Sequence, residues 1–135
     1  MNINGKKVQI AKSKQNVYEF LSDFNNFKTL MPEQVTNWTS DTESCTFTIQ
    51  GITTITLRYS KKEPYSLLEV VPEGKSPISF TMQFHLENAE GDNLRSAGTI
   101  HIDADMNPML AMMAKRPLEN LVDVMSQKLQ EFFSK

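Results

Sequence analysis

The chain has 135 residues, 39% apolar and 22% charged, a length that closes one hydrophobic core and a composition that excludes disordered, collagenous and membrane-spanning classes. Its 14 basic and 16 acidic residues give a net charge of −2, and the basic residues are scattered rather than gathered into a stripe, which argues against a nucleic-acid partner. The lone Cys45 excludes an internal disulfide, MNINGKKVQI lacks a signal-peptide core, and no apolar run of about 18 residues is present, so the expectation is a cytoplasmic protein without membrane insertion.

The alternation at Val8-Gln9-Ile10 closes a first strand over 2–11. Ser13 then offers an N-cap to a helix whose Val17, Phe20, Leu21 and Phe24 share one face. Asp23 caps a second short helical segment with Phe27, Leu30 and Met31, which Pro32 ends because the residue before a proline is pushed out of the helical region.

From Val35 to Asp105 the β-branched and aromatic residues accumulate between turn signals at Ser40-Asp41, Gln50-Gly51, Glu63-Pro64, Glu73-Gly74 and Glu90-Gly91-Asp92. This reads as a meander of about six strands. In the last hairpin, folding about Gly91 pairs Leu86 with Ser96, Phe84 with Gly98, Met82 with Ile100, Phe80 with Ile102 and Ile78 with Ala104, which puts every apolar side chain on one face. Gly98 then faces Phe84 and marks a bend of the sheet. Between 44–49 and 52–59 the side chains of Ile52, Ile55, Leu57 and Tyr59 do not share one alternation, and a bulge between Gly51 and Thr54 reconciles them.

Residues 108–133 carry Leu110, Met113, Ala114, Pro117, Leu118, Leu121, Val122, Met125, Leu129 and Phe132 at helical spacing. Pro117 removes a backbone bond inside that pattern and is expected to kink the helix or divide it into 108–115 and 117–133. On this stripe Met113 and Met125 belong to the core, while Met109 and Met112 point elsewhere. One domain over 1–135 accounts for the whole chain.

The strand over 2–11, the helix Ser13-Lys14-Gln15-Asn16-Val17-Tyr18-Glu19-Phe20-Leu21-Ser22-Asp23, the Phe27-to-Pro32 stretch, the sheet and the Pro117-Leu118 helix together resemble the START-like or Bet v 1-like superfamily. This is the polyketide cyclase/dehydrase and lipid-transport group, SRPBCC. The resemblance implies an α+β helix-grip fold. In it a curved antiparallel sheet of about seven strands wraps around a long C-terminal helix, with two short helices after strand 1. It also implies a cavity between sheet and helix that in many relatives holds an apolar ligand. It carries no catalytic residue across to this chain, and family members include enzymes, carriers and co-chaperone domains.

The residues themselves point the same way. His85 and His101 face away from the apolar side at different levels, and His101, Asp103 and Asp105 follow the alternation of a wet face, so no metal is expected. Cys45 alternates with Phe47 and Ile49 on the inner face with no basic neighbour to activate it, and reads as an inert buried thiol. The five glycines are dispersed and form no phosphate loop, and no cofactor is expected. The expected function is binding or transport of a small hydrophobic molecule. Its lining candidates are Phe24, Phe27, Trp38, Phe47, Leu57, Phe80, Met82, Phe84, Ile100, Met109 and Met113. Two alternatives stand beside it: a cyclase- or hydrolase-like enzyme using Arg58, Tyr59 or Glu69 if any of them points inward, and an interaction module or homodimer formed through the Met109–Met112 patch.

Overall fold

The computed structural model describes residues 1–74 and 78–134. Its element order is β1 (Asn2–Asn4), β2 (Val8–Ile10), α1 (Lys14–Leu21), a 3-10 helix (Phe24–Leu30), β3 (Val35–Ser40), β4 (Ser44–Ile49), β5 (Thr53–Glu63), β6 (Leu67–Pro72), β7 (Ser79–Ala89), β8 (Asp92–Asp105) and α2 (Pro108–Phe132). The eight strands form one antiparallel sheet in the order β1-β8-β7-β6-β5-β4-β3, with β2 also on β8. Consecutive strands from β3 to β8 are neighbours, and the chain's start returns to pair with its last strand.

The expected first strand is two. Asn2–Asn4 pair with His101–Asp103 and Val8–Ile10 pair with Ser96–Gly98, a slip of one residue between the two stretches. Because side chains alternate with a period of two, that slip moves the inward set from odd to even positions, and both Ile3 and Ile10 are therefore buried. Gly5 sits at the slip. Its N–H donates to the Ile100 carbonyl at 2.8 Å, and a Cβ built on it would stand 2.7 Å from that carbonyl oxygen and 2.7 Å from Val122 Cγ1. Only glycine lets β8, the β1–β2 connection and α2 meet there.

Local capping sets the helices. The Asn16 N–H donates to Ser13 Oγ at 3.2 Å, and the Asn25 N–H to Asp23 Oδ1 at 2.9 Å, so both expected caps form. The second of these helices is of 3-10 type. Asn107 caps α2 through the Leu110 N–H at 2.9 Å, with Pro108 in the first turn.

The sheet differs from expectation in two registers. In the last hairpin Leu86 pairs with Gly98, Phe84 with Ile100, Met82 with Ile102 and Phe80 with Ala104, two residues on from the expected pairing. The cause lies next to the turn. Ala89 pairs with Asp92 and Asn88 with Ser96, so Asn93, Leu94 and Arg95 have no counterparts on β7, and the Leu94 N–H donates to Asp92 Oδ1 at 2.8 Å. A shift of two keeps each side chain on its face, and the apolar set remains inward. Gly98 therefore meets Ile10 and Leu86, not Phe84: its Cβ position lies 3.2 Å from Ile10 Cδ1 and 3.5 Å from Leu86 Cδ2. The expected bulge at Gly51–Thr54 is absent, for β4 and β5 pair without interruption from Ile49 with Thr53 to Ser44 with Arg58. Ile52 belongs to the turn, its N–H donating to the Ile49 carbonyl at 3.0 Å. The irregularity falls instead between Tyr59 and Lys61, against β6.

Helix α2 runs as one element through Pro117, so of the two expected effects of that proline the division does not occur. An interior proline costs about 3 kcal/mol, but Ala114, Leu118, Leu121, Val122, Met125 and Leu129 are buried along one line, and each large apolar side chain so placed contributes roughly 1.5–3 kcal/mol. Packing outweighs the lost bond. The helix lies over β1, β2, β8 and the 3-10 helix, while α1 packs on β6, β7 and β8. No described helix is long and apolar enough to cross a membrane.

Candidate functional site

The concave face of the sheet gathers most of the expected lining residues. Phe24, Phe27, Phe47, Leu57, Phe80, Met82, Phe84 and Ile100 are all buried in one apolar cluster that also contains the α2 line from Ala114 to Leu129. The 3-10 helix contributes three buried side chains, Phe24, Phe27 and Leu30, to this cluster. Its Phe24 stacks on Tyr59 with ring centroids 4.2 Å apart, and its Phe27 meets Phe84 edge-on at 5.5 Å and Phe24 at 4.8 Å. Trp38 is half-buried at the margin and stacks on Phe47 at 5.3 Å.

Met109 and Met113 stand apart from this interior. They are 75% and 57% exposed, and Met112 is 83% exposed, so the first turns of α2 present a methionine stripe to solvent and Met113 is not a core residue. Helical spacing alone aligned Met113 with Leu118 and Met125, but burial on α2 begins only at Ala114.

The polar groups that could do chemistry are not assembled inside. Arg58 lies on the outer face and is exposed. Glu69 is also on that face, accepting hydrogen bonds from Ser60 Oγ and Gln83 Nε2, both at 2.8 Å. Those two bonds hold its carboxyl below the usual carboxylate range. Tyr59 does point inward, but its hydroxyl donates to the Leu21 carbonyl at 2.5 Å, and burial, followed by the nearby Cys45, pushes its phenol well above the usual value. The Cys45 thiol is pushed up to about 12 by burial, as an inert core thiol requires. His85 bonds to Gln83 at 2.9 Å and His101 to Asn4, two separate outer-face contacts. Among the described residues no group of three His, Cys, Asp or Glu side chains is placed to hold a metal ion.

Two surface hollows frame the interior. The larger, about 790 Å³, opens on the outer face between Arg58, Val71, Thr81, Asp103 and Asp105. It is open to the surface. A smaller one of about 270 Å³ lies where the 3-10 helix meets β3, among Lys28, Met31, Pro32, Val35, Asn37 and Trp38. Of the eleven expected lining residues, Phe80 borders the first and Trp38 the second. The sequence reading missed Lys28, Met31 and Val35 as neighbours of Trp38. The available signal was Pro32, which ends the helical turn and folds Met31 back toward the next strand.

No family model matches the sequence, and no curated protein sequence matches it. Solved structures do match. The protein XoxI from Bacillus cereus superposes with a TM-score of 0.74 at 11% identity, over 98% of this chain and 94% of that one. A START superfamily protein from Mycobacterium smegmatis gives 0.69 at 12% identity over 98% and 96%. The di-domain ARO/CYC protein BexL of the BE-7585A biosynthetic pathway gives 0.70 at 12% identity, over 97% of this chain and 45% of its own length. The architecture is thus the α+β helix-grip fold of START-like and Bet v 1-like proteins, as the sequence resemblance implied.

Proposed function

We propose that this chain binds a small hydrophobic molecule between the concave face of its sheet and α2, and holds or carries it unchanged. The observation behind this reading is the 3-10 helix Phe24–Leu30, whose Phe24, Phe27 and Leu30 are buried against the apolar side of the sheet. Seven residues is long for a 3-10 helix, whose hydrogen bonds have poorer geometry than those of an α-helix. Its displacement is the step by which a guest would enter. An apolar guest displacing its rings would meet a wall of Phe47, Leu57, Phe80, Met82, Phe84 and Ile100. Burial of about 400 Å² yields on the order of 10 kcal/mol gross, against several kcal/mol for association and for moving two phenyl rings. The START and ARO/CYC names among the structural neighbours support this class of ligand, and a reducing cytoplasm suits the single buried thiol.

The probe is 1-N-phenylnaphthylamine, a neutral apolar fluorophore, titrated into isotope-labelled protein. The expected result is saturable shift change at Phe27, Leu57 and Phe84. Shifts confined to exposed positions would overturn the reading. The enzyme alternative has less support, since Arg58 and Glu69 lie outside and the Tyr59 hydroxyl is engaged.

A second reading rests on the exposed Met109, Met112 and Met113, which suit contact with a second copy of the chain. Sedimentation of the wild type beside a Met109→Glu, Met112→Glu double variant tests it, and identical monomeric behaviour counts against it.

A further inference from the structure

We infer that the hollow between the 3-10 helix and β3 is a binding site for a small molecule with a flat apolar body and one carboxylate. It is lined by Met31, Pro32, Val35 and Trp38 together with the polar Thr36 and Asn37, and Lys28 is its one charged lining residue. Among its lining residues there is no carboxylate, and Glu33, next to Pro32 in the chain, is exposed and outside the lining. Behind this lining, Lys128 Nζ donates to the Met31 carbonyl at 2.8 Å and holds that backbone in place.

The recognition surface is fixed in advance. One face of the Trp38 indole lies on Phe47 at an interplanar angle of 17°. Its Nε1–H donates to Ser40 Oγ at 3.0 Å, and that hydroxyl donates to Asn25 Oδ1 at 2.7 Å. The ring is locked from both the apolar and the polar end, so little rotamer freedom is lost on binding. The backbone beside it is unusual as well. Asn37 has φ 56°, in the left-handed region, inside the register break of β3 against β4 between Thr36 and Thr39. Asparagine is one of the few residues besides glycine that adopts this conformation readily, and a bulge re-aims the side chains around it. A planar apolar group fits against Trp38 between Met31 and Val35, with its carboxylate on Lys28. At about 270 Å³ the hollow suits one ring with a short acidic arm rather than a lipid chain.

This site opens on the surface beside the interior and is tested separately from the guest proposed above, with Lys28 carried on the 3-10 helix that such a guest would displace. Trp38 is the protein's single tryptophan, so its emission reports this hollow directly. Titration with 3-phenylpropionate should change that emission saturably, with a dissociation constant on the order of a millimolar. The neutral 3-phenylpropanamide should bind roughly tenfold more weakly, the worth of one charge-assisted bond. Lys28→Met, at an exposed position, should lower the affinity for the acid to that for the amide and leave the amide unchanged. Equal response to acid and amide, or an acid response untouched by Lys28→Met, overturns the assignment, as does the absence of any saturable change. Phenylnaphthylamine shifts at Phe84 are read separately, so either proposal can fail alone.

Discussion

The Tyr59 hydroxyl donates to the Leu21 carbonyl oxygen at 2.5 Å across 38 residues of sequence, tying the last residue of α1 to the middle of β5. The same ring carries Phe24 on one face at 4.2 Å and lies 4.4 Å from the Lys62 ammonium. Tyr59→Phe removes only the hydrogen bond and should cost about 0.5–1.5 kcal/mol. Tyr59→Ala also removes the stack and the buried ring, and should cost about 3–5 kcal/mol. Urea unfolding of both variants checks the ratio, and equal losses would mean the ring contributes nothing beyond its hydroxyl.

Alkaline pH should destabilise the protein through Cys45 and Tyr59. Cys45 is raised from 9.0 to about 12 and Tyr59 is raised above 10.0, burial being the first cause in both. In each case the folded state keeps a proton that the unfolded state releases. The Cys45 contribution is therefore complete below pH 9 and lost as pH rises from 9 to about 12, and that of Tyr59 begins to fall above pH 10, each with a slope approaching ~1.4 kcal/mol per pH unit. Cys45→Ala should flatten the first part of that decline and Tyr59→Phe the part above pH 10. Stability followed from pH 8 to 11.5 by chemical denaturation gives the comparison.

Two glycines should differ in how well they tolerate a side chain. Gly5→Ala drives a Cβ to 2.7 Å from both the Ile100 carbonyl oxygen and Val122 Cγ1, one of them backbone, and should cost about 2–3 kcal/mol by overpacking. Gly98→Ala meets first the far end of Ile10, at 3.2 Å, which has room to rotate, and should cost under about 1 kcal/mol. A reversed order would show that the β1–β2 slip is not held by the Gly5 contact.

These glycines show where the sequence was legible. Alternation fixes the face of a residue, and Phe80, Met82, Phe84, Ile100 and Ile102 all point inward as read. It does not fix the partner, because moving a strand by two residues leaves every face unchanged. The Asp92 side chain bonding to the Leu94 N–H shifted the hairpin without disturbing any hydrophobic signal. The odd-to-even slip at Gly5 was invisible for a related reason: Ile3 and Ile10 look out of phase on one strand and are in phase only on two. Met113 failed differently. Helical spacing gives a direction and not the point where a neighbour begins, and the buried line of α2 starts one residue later. The hollow at Trp38 was hidden because its walls come from a helix end and a bulged edge strand, neither of which has a period.

Exposure should sort the methionines by reactivity. Met109, Met112 and Met113 are open to solvent, while Met82 and Met125 are buried. Brief treatment with hydrogen peroxide converts accessible thioethers to sulfoxides. Peptide mapping by mass spectrometry should find the first three oxidised before Met82 or Met125 in native protein, and all five oxidised together in urea. Protection of the α2 stripe at high protein concentration, lost on dilution, would mark it as the contact between copies.

Phe27→Ala tests whether the interior tolerates an apolar guest. Phe27 is almost completely buried between Phe24 and Phe84, and its truncation should cost about 3–5 kcal/mol. Part of that cost is the cavity, and a dry cavity lined by aromatic and aliphatic groups takes up small apolar molecules. Benzene should therefore raise the melting temperature of Phe27→Ala, because a ligand that binds only the folded state stabilises it in proportion to the logarithm of its concentration over its dissociation constant. The wild type should respond less, since there the guest must first displace the ring. If benzene stabilises neither protein, the concave side collapses onto any space opened in it, and Phe24–Leu30 is a fixed part of the core rather than a displaceable cover.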